Sequence, residues 1–311
     1  MGVVWGVPYL LIKVADGGVS VPVLVFARTS IGALVLLPLA LRRGVVGQMR
    51  AHWRWLSVFA LVEIILPWAL LSDAERRLAS SLSGMLVASV PVIGAVLALA
   101  TRSSERLTLL RWTGLALGFG GVVLLAGPTA HGGDARAVAE VLLTATGYAV
   151  GPVILSRKLS EAPSLGVTVV CLAGAAVIYA PLAAATWPHA VPSGRVLAAL
   201  AVLGVVCTGA AFVGFLALIA ETDPARATVI TYVNPMVAVA LGVALLGERL
   251  TPVTIVSFAL ILAGSFLATR AGRSRAPATA RPVPPQPAGP GYGAAAVAAL
   301  SDRVAEADTC A

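Results

Sequence analysis

Charge is what this sequence has least of. Only 12% of its 311 residues are Asp, Glu, Lys or Arg, against about 25% in a soluble domain, so the chain cannot cover itself with a water-facing surface. Aromatics are sparse too, at 6%, and there are three histidines and three cysteines. His52, His131 and His189 fall singly in three different loops. No His pair one turn apart, Ser/His/Asp grouping or carboxylate pair emerges, which argues against a membrane-embedded lipid transferase or hydrolase and against a metal centre. Cys171 and Cys207 lie in apolar runs and Cys310 near the end, a spacing that makes neither a disulfide framework nor a zinc site. No Walker motif is present, so this chain alone is no ATP-driven pump. Gly114-x-x-x-Gly118 with Gly120-Gly121 has no preceding strand and no Lys-Ser/Thr, and reads as close helix packing, not a phosphate cradle. Nothing resembles the repeated polar ring of a channel, and nothing calls for a cofactor.

What is there is apolar. Hydrophobic residues make up 59% and mean hydropathy is +0.93. The runs approach the roughly 20 residues that cross a bilayer, without the alternation of a barrel. The fold class expected is an all-α polytopic membrane protein with ten spans. These are Val3–Ala15, Val21–Leu41, Trp55–Leu71, Leu78–Ala100 and Leu109–Ala126, then Val138–Leu155, Leu165–Ala185, Val196–Ala220, Ala225–Leu246 and Val253–Thr269. Met1 to Leu11 lacks the basic flank of a signal peptide, and the first span is short.

The net charge of +8 is read as headgroup-level arginine, not as a nucleic-acid surface. With the N-terminus inside, the inner side holds fifteen Lys/Arg and the outer loops six (Lys13, Arg76, Arg77, Arg136, Arg195 and Arg249). Both termini are therefore expected in the cytoplasm of a multi-pass plasma-membrane protein. Residues 271–311 begin rich in Pro, Arg and Gly and are expected to form a disordered cytoplasmic tail.

The chain repeats itself. Glu105-Arg106-Leu107-Thr108 recurs as Glu248-Arg249-Leu250-Thr251, and Gly121 as Gly264, at an offset of 143 (248 − 105); Pro91 recurs as Pro235 at 144. Two units of five spans, 1–127 and 136–270, follow from this. Five is odd, so the second unit enters the membrane in the opposite sense, as in many secondary transporters.

Trp5-Gly6 in the first span, Phe26-Ala27-Arg28 in the second, and above all the run from Val233 through Asn234-Pro235 to Glu248-Arg249-Leu250-Thr251 resemble the EamA-type family of the drug/metabolite transporter superfamily. The resemblance covers about residues 3 to 269. It implies ten helices in two inverted repeats, a central cavity lined mainly by the first four helices of each, and movement of small metabolites or drugs by alternating access. Export, with proton coupling open, is the function expected. A membrane enzyme on a lipid-linked substrate and a channel or scaffold are the alternatives. Membrane lipids and a small-molecule substrate are the partners, and a homodimer is compatible with so apolar a surface. The chain departs from the family pattern in its short N-terminus and in the polar turn Asp73-Ala74-Glu75-Arg76-Arg77.

Within the spans, Arg28 and Glu63 stand out, because a charge at the bilayer centre costs about 2.5–3.5 kcal/mol on insertion scales. They lie at equal depth on neighbouring antiparallel spans and are expected to pair. Trp5, Tyr9, Trp68, Tyr148 and Tyr232 are aromatics placed to line a cavity. Trp53, Trp55, Trp112 and Trp187 are expected at the interfaces. Pro91 and Pro235 are expected to kink apolar helices, and Asn234, biased away from helical geometry by the proline that follows, offers an amide to a ligand. Glu140 is expected at headgroup level, and Glu105 and Glu248 as caps of the spans they precede.

Overall fold

The computed structural model describes residues 2–100, 109–129, 134–214 and 230–270. No strand occurs among them. The first apolar segment is α1 (Gly2–Gly6) and α2 (Pro8–Ala15), divided just before Pro8. Next comes α3 (Val21–Arg42), whose N-cap Ser20 accepts a hydrogen bond from the Val23 N–H. It stops before Gly44, whose φ of 62° suits a residue without Cβ. The third segment is a 3₁₀ turn (Gly47–His52), α4 (Trp53–Ala60), a π turn (Leu61–Ile65) and α5 (Leu66–Glu75). The fourth is α6 (Ser80–Val87) and α7 (Val90–Ala100), interrupted at Ala88 and Ser89 just ahead of Pro91. Then follow α8 (Leu109–Thr129), α9 (Ala135–Lys158), α10 (Ser164–Ala185) and α11 (Gly194–Gly204), which runs into a second π turn (Val205–Ala210). Last come α12 (Ile230–Leu246) and α13 (Pro252–Arg270). α12 passes through Pro235 as one helix.

Seven of the helical segments are long and apolar enough to cross a membrane, and Gly2–Ala15, Tyr232–Leu246 and Pro252–Ala268 are shorter apolar helices. Their outward faces carry side chains such as Phe119, Val177 and Ile255 that are more than half exposed, which suits lipid and not water. The protein is an all-helical, multi-pass membrane protein. The third segment is longer than its sequence suggested, helical from 47 to 75. The first Glu-Arg-Leu-Thr, the chain from 215 to 229 and residues 271–311 lie outside the described residues, so the expectations for Glu105 and for a disordered tail fall there too.

Glycine sets how close the helices come. The seam between α8 and α13 is antiparallel: Gly114 faces Leu267 and Ala268, and Gly121 faces Ser257 and Ile261. A Cβ on Gly264 would stand 2.5 Å from the Gly118 Cα, so backbone meets backbone as the Gly-x-x-x-Gly pattern suggests. The first segment and α12 run parallel, with Gly2 against Val233 and Gly6 against Val237.

One end of the bundle is clasped by polar contacts. Lys13 Nζ donates to the carbonyls of Glu75 and Leu78. Arg76 donates to the Val19 carbonyl at 3.0 Å and lies 3.7 Å from Asp16. Asp73, Arg77, Arg136 and Glu140 form a four-charge ring joining α5 to α9, with contacts of 2.5–3.3 Å. Glu140 is thus a buried ring member, 8% exposed; two arginines compensate its burial. Glu248 departs from expectation. Its two oxygens accept from the N–H groups of Ser80 at 2.7 Å and Ser81 at 2.9 Å, so it caps α6 and not the helix it precedes. The turn at Gly247, with φ of 68°, directs it there. Gly242 leaves the space, since a Cβ would lie 2.5 Å from Glu248 Oε2.

Candidate functional site

The site is built where α3, the third segment and the α11 segment meet. Arg28 on α3 is 7% exposed. Its Nε donates to Thr208 Oγ1 at 3.1 Å, and its Cζ lies 3.7 Å from the ring centroid of Trp68. Thr208 is poised for this by the second π turn, where its hydroxyl donates back to the Leu203 carbonyl at 2.8 Å, leaving a lone pair for Arg28. Gly32, one turn along α3, receives the Thr208 methyl; a Cβ there would stand 2.6 Å from it.

The expected ion pair between Arg28 and Glu63 is not formed. Arg28 has no carboxylate within 4.0 Å among the described residues, and neither Nη group has a hydrogen-bond partner there. The π turn adds a residue to the third segment, and Glu63 faces α9 at Gly151. Pro67 is a physical reason for that turn. It has no N–H to give and its ring crowds the carbonyl four residues back, so the helix widens locally. The Leu66 N–H bonds to the Leu61 carbonyl, five residues back, and the Ile65 carbonyl accepts from the Tyr179 hydroxyl on α10 at 2.9 Å.

Glu63 lies in a notch. Gly147 and Gly151, one turn apart on α9, face the π turn: Gly147 meets the Val62 carbonyl and Pro67, and Gly151 meets the Glu63 carboxyl group. A Cβ on Gly151 would overlap Glu63 Oε2 and stand 2.8 Å from Cδ. Oε2 is buried without a hydrogen-bond partner. Tyr148, between the two glycines, is an electrostatic neighbour of both Arg28 and Glu63, and Tyr9 is one of Arg28, Tyr148 and Glu75.

Tyr9, Arg28, Glu63, Trp68 and Tyr148 are therefore brought into one neighbourhood. Trp5 stands at its margin, edge-on to Phe212 of the α11 segment with centroids 6.0 Å apart. Tyr232, Asn234 and Pro235 sit on α12 against the first segment and α13: Gly6 abuts the Asn234 carbonyl, and Tyr232 is edge-on to Phe266 at 6.5 Å. Pro91 marks the restart of α7. Trp53, Trp55, Trp112 and Trp187 are 41–62% exposed. Sequence reading missed Thr208, for which a lone Thr in an apolar run gives no signal, and Gly151, for which Gly147-x-x-x-Gly151 ahead of Pro152 was a usable one. It also missed Glu75, 0% exposed, whose Oε2 accepts from Ser80 Oγ at 3.0 Å.

The model of the EamA-like transporter family matches residues 1–127 and again 136–270. The chain belongs to the EamA-like transporter family. A relative in Escherichia coli strain K12, the uncharacterized inner membrane transporter YedA, is 27% identical over 272 residues, 86% of this chain and 87% of its own. Its counterpart in Escherichia coli O157:H7 matches to the same extent. A solved structure described only as a crystal structure of protein has the same fold, with a TM-score of 0.64 at 22% identity, covering 88% of this chain and 95% of its own.

Proposed function

We propose that this EamA-family protein is a secondary transporter that exports a small organic solute bearing a negatively charged group. It works by alternating access between inverted five-helix units, 1–127 and 136–270, with both termini in the cytoplasm. The observation that carries the solute class is Arg28. A guanidinium stays charged at any physiological pH, and this one is held inside a span by a π face and one hydroxyl, with no carboxylate. Its two Nη groups present the planar fork that matches a carboxylate or phosphate.

Several features support the inverted units. The two π turns begin at Leu61 and Val205, 144 residues apart (205 − 61), the offset of Pro91 and Pro235. Pro8 and Pro152 share that offset. The first segment pairs with α12 as α7 pairs with α9, and α3 pairs with α10, a pattern that maps onto itself when the units are exchanged. A plasma-membrane location is supported by the inner membrane relatives and by the positive-inside count.

Proteoliposomes offered radiolabelled carboxylates, amino acids, neutral and cationic solutes in gradient-free counterflow test the reading. Anionic or zwitterionic solutes are expected to exchange, and Arg28→Gln is expected to weaken their binding about 10- to 100-fold, the equivalent of a charged hydrogen bond worth about 1.5–3 kcal/mol. Exchange confined to neutral or cationic solutes would refute it.

A further inference from the structure

We propose that Glu63 is a proton-binding site, a carboxyl group carried in the membrane as the neutral acid and the place where a coupling proton is loaded. Its role in coupling rests on the transporter reading above; the binding of the proton does not. The argument begins with what can reach the carboxyl group. Oε2 is sealed from solvent, has no donor, and lies against Gly151, where not even a methyl group fits. A proton is the one ligand small enough for that oxygen.

Among the described residues, no cationic or donor group stabilises the anion directly. No Lys, Arg or His lies within 4.0 Å of Glu63 among the described residues. The titratable groups on the elements around it are few. Tyr148 on α9 and, beyond Trp68, Arg28 on α3 are in electrostatic range of one another; Tyr179 on α10 spends its hydroxyl on Ile65; Cys171 on α10 lies 3.6 Å from the Leu56 carbonyl. An unpaired ionised carboxylate in apolar surroundings is expensive, and taking up a proton removes the cost. The neutral acid then needs an acceptor for its O–H. The π turn supplies one close by, because Pro67 leaves a carbonyl of that turn without its N–H. Gly147 and Gly151 keep the notch open for the group, whereas the second π turn, Val205–Ala210, carries Cys207 at the position 144 residues on (207 − 63) and so has no acid there.

Infrared difference spectroscopy on the full chain in lipid, wild type minus Glu63→Gln, tests this through a pH titration in H2O and D2O. Expected is a protonated-carboxyl C=O band that shifts on deuteration, is absent from Glu63→Gln, and fades in the wild type as pH rises. Identical spectra for wild type and variant, or a wild type without the band at every pH, would overturn the proposal. Where Glu63→Gln fails to fold, Glu63→Asp, which keeps the acid on a shorter side chain, reads the same site. A protonated-carboxyl band displaced in frequency from that of the wild type supports the assignment, and a band unchanged from the wild type refutes it. Neither readout requires a solute, so a protein that fails in counterflow yet shows the band keeps the proton site and loses the transporter reading.

Discussion

Arg28 and Asp16 show how differently two charges are accommodated in one chain. Arg28 cannot lose its proton, and a flat π face and a hydroxyl accommodate it. Asp16, in the turn after α2, lies outside the spans and can change state. Burial pushes its carboxyl up to about 7, against the opposing pull of Arg76 and Lys13, with Asp73 adding to the rise. Arg76 at 3.7 Å is too distant for a hydrogen bond, and both Asp16 oxygens lack a donor, so burial wins. A carboxyl that holds its proton more tightly in the folded than in the unfolded chain stabilises the fold at low pH. That contribution is complete below the ordinary aspartate range near 4 and is lost as pH rises to about 7. Thermal midpoints recorded from pH 4 to 8 should therefore fall less in Asp16→Asn than in the wild type. Parallel curves for the two would show that Asp16 is ionised throughout.

At the scale of elements, the recurring device is a helix end or irregular turn completed by a residue far away in sequence. Ser80 and Ser81 begin α6 with free N–H groups, and Glu248 takes both. Replacing a capping acceptor typically costs about 0.5–2 kcal/mol. Glu248→Ala should thus speed hydrogen exchange at the Ser80 and Ser81 amides about 2- to 30-fold, with little change on α10. Unchanged exchange at those two amides would remove Glu248 from this role. These partnerships also explain which parts of the fold were legible. Apolar length marked the helices, and matched prolines and the Glu-Arg-Leu-Thr turns marked the repeat. Arg28 was visible because charge is rare in a span. That Glu63 would face away from it was not, because one extra residue in a π turn rotates the side chains around it, and residue spacing carries no trace of that rotation. Glu248 was assigned to the helix it precedes because sequence shows only neighbours along the chain.

Across the whole molecule, the clasped end joins residues from both halves. Besides Glu248 on α6, Ser20 Oγ lies 2.7 Å from Thr186 Oγ1, tying the start of α3 to the end of α10, and Gly18 packs against Val196. The alternating access we propose requires this end to part. A cysteine pair at Ser20 and Thr186 falls within reach of a disulfide, so Ser20→Cys with Thr186→Cys should transport when reduced and stop when oxidised. Full transport with the disulfide shown to be closed would mean that the two halves do not separate at this end. The clasp also has a consequence in time. Glu248 is 168 residues beyond Ser80. At a synthesis rate of about 5–20 residues per second, α6 leaves the ribosome about 10–30 s before the residue that caps it has been made. For that interval the first half sits in the bilayer with the start of its fourth segment unfinished. The cell must shelter it until the last loop arrives, and any pause in translation between the two lengthens the wait.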